Sequence, residues 1–216
     1  ISMLLMQRLE KEFGELIALA IAIFTNRHPK KFLHQLVSGQ LDMDRMDYLN
    51  RDSFYTGVSE GVIGYDRIIN MIDVHDDSIV VEEKGLYSVE KFIVARRLMY
   101  WQVYLHKTNV AAEHMVIHLL RRARELALQG VELEVSKHLH WFLYRDSTER
   151  PATEDLLHHF SRLDDVDIAA AIKAWRESSD VVLSYLSTGL LDRKLFRLEW
   201  RSVPVEQEYL DTIRQK

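Results

Sequence analysis

The sequence contains no cysteine, which excludes a disulfide scaffold and any metal centre built on thiolates. Long apolar runs are missing too. The longest, Leu16 to Phe24, falls well short of the roughly 20 residues that cross a bilayer, and no basic segment precedes it as in a signal peptide. It reads as a buried helix, so no membrane partner and a cytoplasmic location are expected. Positive charge is not in excess: 28 Lys and Arg against 33 Asp and Glu give a formal net charge of -5. That balance leaves no electrostatic footprint for nucleic acid or an anionic membrane. There are no repeats and no low-complexity segments. The chain opens in mid-pattern at Ile1 without an initiator methionine, and Asp211 to Lys216 carry no recognisable terminal structure. It therefore reads as a piece of a longer protein.

What remains is an ordinary globular composition of 216 residues, 47% hydrophobic and 28% charged, enough for one main domain and a small appendage. Helical periodicity dominates. Leu4, Leu5, Leu9 and Phe13 continue into Leu16, Ala20 and Ile23, as two coupled helices or one bent at Gly14, ending at Pro29. Helices are expected at Lys30–Val37, from near Leu41, at Tyr65–Met71, from Val89 to about Lys107 with Ser88 as cap, and at Asn109–Gln129. Four more are expected at Glu134–Tyr144, Thr153–Phe160, Asp165–Glu177 and Ser179–Leu186. The period changes between Ile72 and Ser88, where Ile79-Val80-Val81, Lys84-Gly85 and Leu86-Tyr87 suggest a β-hairpin. Lys194 to Trp200 alternates as an edge strand would. The fold class is all-α (mainly α) with a small β-hairpin, divided into a domain at 1–145 and a helical extension at 146–216.

The segment from Ser38 to Asp52 crowds acids, arginines and a tyrosine onto one helix. At about 100° per residue, Asp44, Arg45, Tyr48, Arg51 and Asp52 share a stripe roughly a third of the circumference wide. A second stripe joins Phe92, Arg96, Tyr100 and Tyr104 at successive i+4 positions, which puts Arg96 where a core residue is expected. An inward charge needs a partner. Either an acid such as Asp47 or Asp52 supplies it, or Arg96 binds phosphate through its planar fork of donors.

The pattern Leu-Asp-x-Asp-Arg-x-Asp-Tyr-Leu-x-Arg-Asp at 41–52, followed by Tyr55-Thr56-Gly57-Val58, resembles the HD-domain phosphohydrolases, in particular the dNTP triphosphohydrolase-like branch. The likeness runs from about Lys30 through Gly130, including Arg96, Tyr104 and His106-Lys107. It implies an HD-domain helical bundle and a divalent metal ion (Mg, Mn, Fe, Ni or Zn) held by a His, a His-Asp pair and a later Asp. Asp44 matches that last ligand, and the others would lie upstream of this chain. The resemblance also assigns substrate phosphate to Arg45 and Arg96, and the deoxyribose to Tyr48, Asp52 and Tyr104. Leu105 departs from the family's glutamine. Glu82 and Lys84 stand where relatives carry an Arg-x-Lys pair for a nucleotide activator, and the acid weakens that reading.

The expected activity is metal-dependent hydrolysis of a nucleotide substrate, a dNTP giving deoxynucleoside and triphosphate, by a homo-oligomer. Another phosphate ester as substrate, or a non-catalytic nucleotide-binding or assembly module, are the alternatives. Other histidines invite a metal reading. His75-Asp76 is expected in a surface turn; His114 with His118, His138 with His140, and His158 with His159 are expected to be surface or core histidines.

Overall fold

A computed structural model of the chain describes residues 1–146, 151–200 and 203–214. Its helices are α1 (Ser2–Phe13), α2 (Glu15–Phe24), α3 (Phe32–Ser38), α4 (Met43–Thr56) and α5 (Tyr65–Met71). A two-stranded antiparallel hairpin follows, β1 (Ile72–His75) and β2 (Ser78–Val81). Then come α6 (Leu86–Met99), α7 (Lys107–Leu128), α8 (Lys137–Tyr144), α9 (Thr153–Phe160), α10 (Asp165–Trp175), α11 (Val181–Leu191) and α12 (Gln207–Arg214). The mainly α expectation holds, and no described helix is long and apolar enough to cross a membrane.

Two cores carry the architecture. In the first, Met46 and Leu49 of α4 meet Ile68 of α5 and Phe92, Ala95 and Met99 of α6, with Ile63 from the connection. Ser53, Gly61 and Met99 converge so closely that a Cβ on Gly61 would stand 2.6 Å from the Met99 sulfur and 2.8 Å from Ser53 Cβ. Only glycine lets the connecting loop press between α4 and α6 there. In the second core, Met115, Leu119, Ala123 and Leu126 line one face of α7. They pack on Leu139 and Leu143, on Ala171 and Trp175, and on Leu183 and Leu186, so this core draws side chains from both sides of residue 145.

The break between α1 and α2 is at Gly14, whose φ of 66° is left-handed, a region glycine enters without a Cβ penalty. The hairpin differs in register from expectation. Its turn is Asp76-Asp77, at φ 47° and 59°, because aspartate tolerates this region and bonds its own backbone. Lys84-Gly85 instead belongs to a 3₁₀ turn that feeds directly into α6. Helix α6 consequently begins at Leu86, and Ser88 lies inside it rather than capping it. The hairpin is tied to α3 by Ile79 N–H to Gln35 Oε1 at 2.7 Å and Lys31 N–H to Asp77 Oδ2 at 2.8 Å.

The edge strand expected at Lys194 to Trp200 is not formed. The alternation has no partner strand among the described residues; Leu195 packs on the second core and the Phe196 amide points at the Met115 sulfur, 3.4 Å away. Helix α12, with Leu210 and Ile213 one turn apart, was not anticipated.

Candidate active-site face on α4 and α6

Helix α4 starts one turn into the acidic motif because Asp42 caps it, accepting from Arg45 N–H at 2.8 Å. The same carboxylate pairs with the Arg45 guanidinium at 2.7 Å and is buried, 5% exposed. Arg45 also donates to the Gly39 carbonyl. The arginine expected on substrate phosphate is thus engaged in holding the α3–α4 turn. Asp44 stands exposed in the first turn of α4, with no hydrogen bond or ion pair among the described residues.

One and two turns on, α4 presents Tyr48 and Asp52 to α6 and the residues that follow it. Tyr104 donates its hydroxyl to Asp52 Oδ2 at 2.6 Å. The Tyr48 and Tyr104 rings meet edge to face at 6.2 Å, and Tyr100 meets Tyr104 the same way at 5.2 Å. Arg96 lies 5.7 Å from the Tyr100 ring centroid and faces the Tyr48 hydroxyl. Burial, then the Tyr100 hydroxyl, raises the Tyr48 phenol above its ordinary pKa, with Arg96 pulling the other way. Burial raises Tyr104 strongly, and its bond to Asp52 adds to the effect. Both phenols are therefore donors at neutral pH.

A local irregularity sets this geometry. Residues Tyr100–Tyr104 form a π-helical turn after α6, closed by Leu105 N–H to the Tyr100 carbonyl at 2.7 Å. Such insertions re-aim side chains and recur at functional sites. The continuous α-helix expected to about Lys107 is corrected accordingly, and His106 caps α7 instead.

Of the six expected site residues, Tyr48, Asp52, Arg96 and Tyr104 converge, Arg45 stands beside Tyr48, and Asp44 is separate. Sequence reasoning missed Asp42, although the pattern Asp-x-x-Arg ahead of an apolar helix face was a capping signal. It placed Tyr100 on the right stripe without giving it a role. The acid partner considered for Arg96 is not found: Asp47 pairs with Arg51 at 2.7 Å and Asp52 serves Tyr104.

Among the described residues no group of three or more His, Cys, Asp or Glu side chains could hold a metal ion. A single carboxylate, Asp44, does not make a site, so the described residues alone do not complete a site for the divalent ion that the resemblance implies. His75 ends β1 and Asp76 begins the hairpin turn, both exposed, so the pair lies on the surface as expected. His114 and His118 lie on the outer face of α7. His138, His158 and His159 pack ring against ring, with centroids 5.2 to 5.8 Å apart. Glu82 and Lys84 are both exposed, and Arg67 donates to the Lys84 carbonyl.

A family model described as HD associated region matches residues 63–141. A solved phosphohydrolase (BT4208) from Bacteroides thetaiotaomicron superposes with a TM-score of 0.91 at 55% identity, over 98% of this chain and 54% of that one. The uncharacterized protein YwfO of Bacillus subtilis is 35% identical over 175 residues, covering 81% of this chain and 39% of the relative. A Dictyostelium discoideum protein named as a deoxynucleoside triphosphate triphosphohydrolase SAMHD1 homolog is 29% identical over 111 residues, 50% of this chain and 21% of that protein. The helical fold and its likeness to a solved phosphohydrolase define the class. The chain belongs to the HD-domain phosphohydrolase family, and it spans about half or less of the length of these relatives.

Proposed function

We propose that this chain forms the substrate-holding part of a metal-dependent phosphohydrolase that cleaves deoxynucleoside triphosphates to deoxynucleoside and triphosphate. One observation carries the reading: the Tyr104–Asp52 bond of 2.6 Å joins the π-turn to α4, with Tyr48 of α4 and Arg96 of α6 beside it. A phenol fixed by a carboxylate presents a rigid ring edge to a sugar, and a half-buried guanidinium with no acid partner among the described residues is suited to phosphate oxygens. Tyr48 and Asp52 would orient the deoxyribose, Tyr104 would close its 2′ side, and Arg96 would neutralise the phosphates. Arg45 contributes positive potential while bracing the turn before α4.

The metal would supply a polarised phosphoryl group and an activated water. Asp44 would contribute one ligand, and the remaining ligands would come from outside this chain. By itself the chain is a nucleotide-binding module with little or no hydrolysis. The reading also includes a cytoplasmic location, where nucleotides are made and consumed, and a homo-oligomer. Phe54, Tyr55, Tyr87 and Val181, each 80% exposed, offer it apolar surface, and a monomer by light scattering at micromolar concentration would remove that part.

The test is hydrolysis of deoxynucleoside triphosphates and of nucleoside monophosphates by the protein at the length of its relatives, wild type and Asp44→Ala. Triphosphate substrates should be preferred, and Asp44→Ala should abolish turnover with the fold intact, since the residue is exposed and its side chain makes no hydrogen bond or ion pair among the described residues. Undiminished turnover with metal still bound would remove Asp44. Preference for monophosphates would replace the substrate.

A further inference from the structure

Beside the Tyr48–Asp52–Tyr104 cluster, on the adjoining face of α6 and its π-turn, lies a groove of about 560 Å³. Its volume is in the range of small-molecule sites. Its floor is Phe92, buried in the first core, and its rim carries two arginine–aromatic pairs at i, i+4. Arg97 lies 4.4 Å from the centroid of Trp101, and Arg96 lies 5.7 Å from that of Tyr100. Gln40, from the turn that Arg45 and Asp42 brace, closes the opposite side.

The chemistry is unusual for a solvated surface. Neither arginine is ion-paired to a carboxylate among the described residues, so two guanidiniums face one concavity without neutralisation. Trp101 is 57% exposed and Tyr100 39% exposed, so aromatic surface remains open beside them. An apolar floor, unneutralised planar cations, open aromatic faces and one primary amide together match a flat, hydrogen-bonding, anionic ligand. A simple anion would leave the aromatic rim unused, and an apolar ligand would leave two charges uncompensated.

We propose that this groove binds a nucleoside phosphate, with its base stacked on Trp101 and its phosphates between Arg96 and Arg97. Gln40 faces the base edge and can donate and accept at once. The identification of the anion as a nucleotide rests on the proposed function, and Arg96 is shared by groove and cluster. Trp101, Arg97 and Gln40 belong to the groove and not to the cluster. They make the groove a specificity-determining extension of the α4–α6 face.

The experiment measures binding of α,β-methylene-dATP, deoxyadenosine and inorganic tripolyphosphate to the chain by calorimetry, with Trp101→Leu, Arg97→Gln and Asp52→Asn variants. Both groove side chains are exposed, so the first two variants retain the fold, which circular dichroism checks. Trp101→Leu should weaken the analogue by roughly tenfold, as expected for losing one base–aromatic stack, and leave tripolyphosphate unchanged. Arg97→Gln should weaken the analogue and tripolyphosphate alike. If Asp52→Asn weakens the analogue while Trp101→Leu and Arg97→Gln do not, the groove proposal falls and the sugar-binding reading of α4 stands. Sensitivity to the groove variants alone supports the groove and removes that reading. Failure of the analogue to bind the wild type overturns both, and a single-stranded oligonucleotide binding more tightly than the mononucleotide overturns the choice of ligand.

Discussion

Truncating Arg96 to alanine separates the two roles open to a half-buried arginine. Were it the partner of a buried acid, its loss would leave that acid unpaired and cost about 3–5 kcal/mol. The two acids considered as its partner are otherwise engaged, Asp47 with Arg51 and Asp52 with Tyr104. Arg96→Ala loses one cation–π contact to Tyr100, about 0.5–1 kcal/mol at a partly exposed site, and one polar contact to Tyr48, about 0.5–1.5 kcal/mol. Relief of repulsion from the neighbouring Arg97 offsets part of this. The expected destabilisation is about 1–2 kcal/mol, measured by urea denaturation with the slope held common between variants. Affinity for a non-hydrolysable dNTP should fall at least about tenfold, the equivalent of ~1.4 kcal/mol. A loss above 3 kcal/mol with unchanged nucleotide affinity would make Arg96 a structural ion-pair partner and refute the phosphate argument.

Tyr104→Phe should change the pH dependence of stability. The phenol is raised above its ordinary 10.0 in the folded chain by burial and by Asp52. Below pH 10 it is protonated folded and unfolded, so its contribution is fully present. As pH rises past 10 the unfolded chain loses the proton first, so stability falls toward the folded pKa. Wild type should lose stability more steeply than Tyr104→Phe between pH 9 and 11; parallel curves would mean that the Asp52 bond does not persist in solution. Gly61→Ala should destabilise by about 1–3 kcal/mol, the range for overpacking, because its Cβ would meet Met99 and Ser53 at under 3 Å; thermal melts within 1 °C of wild type would contradict the close approach of α4 and α6.

The acidic helix was legible because its residue types and their spacing coincide over twelve positions, from Leu41 to Asp52. Tyr48 and Asp52 share one face of that helix as periodicity placed them, and Arg96 of α6 and Tyr104 of the π-turn meet them there. The role of Arg45 was not legible. Asp42 and Asp44 are both candidate caps, and only the path of the Gly39–Gln40 turn decides that Asp42 takes the arginine. Nor does a π-turn have a side-chain signature, so the rotation that brings Tyr104 to Asp52 lay hidden in what read as plain helix. The hairpin was located and its turn misplaced, since Lys84-Gly85 looks more turn-like than two aspartates until backbone angles are known. At Lys194–Trp200 the alternation was real, but a strand exists only where another strand accepts its hydrogen bonds.

Which bond is broken in which molecule is read directly by ³¹P NMR of the reaction. With dGTP or dATP, metal and the protein at its relatives' length, tripolyphosphate resonances should grow as the nucleotide resonances decay, with no orthophosphate or pyrophosphate formed first. Orthophosphate from the γ-position, or pyrophosphate with a nucleoside monophosphate, would contradict it.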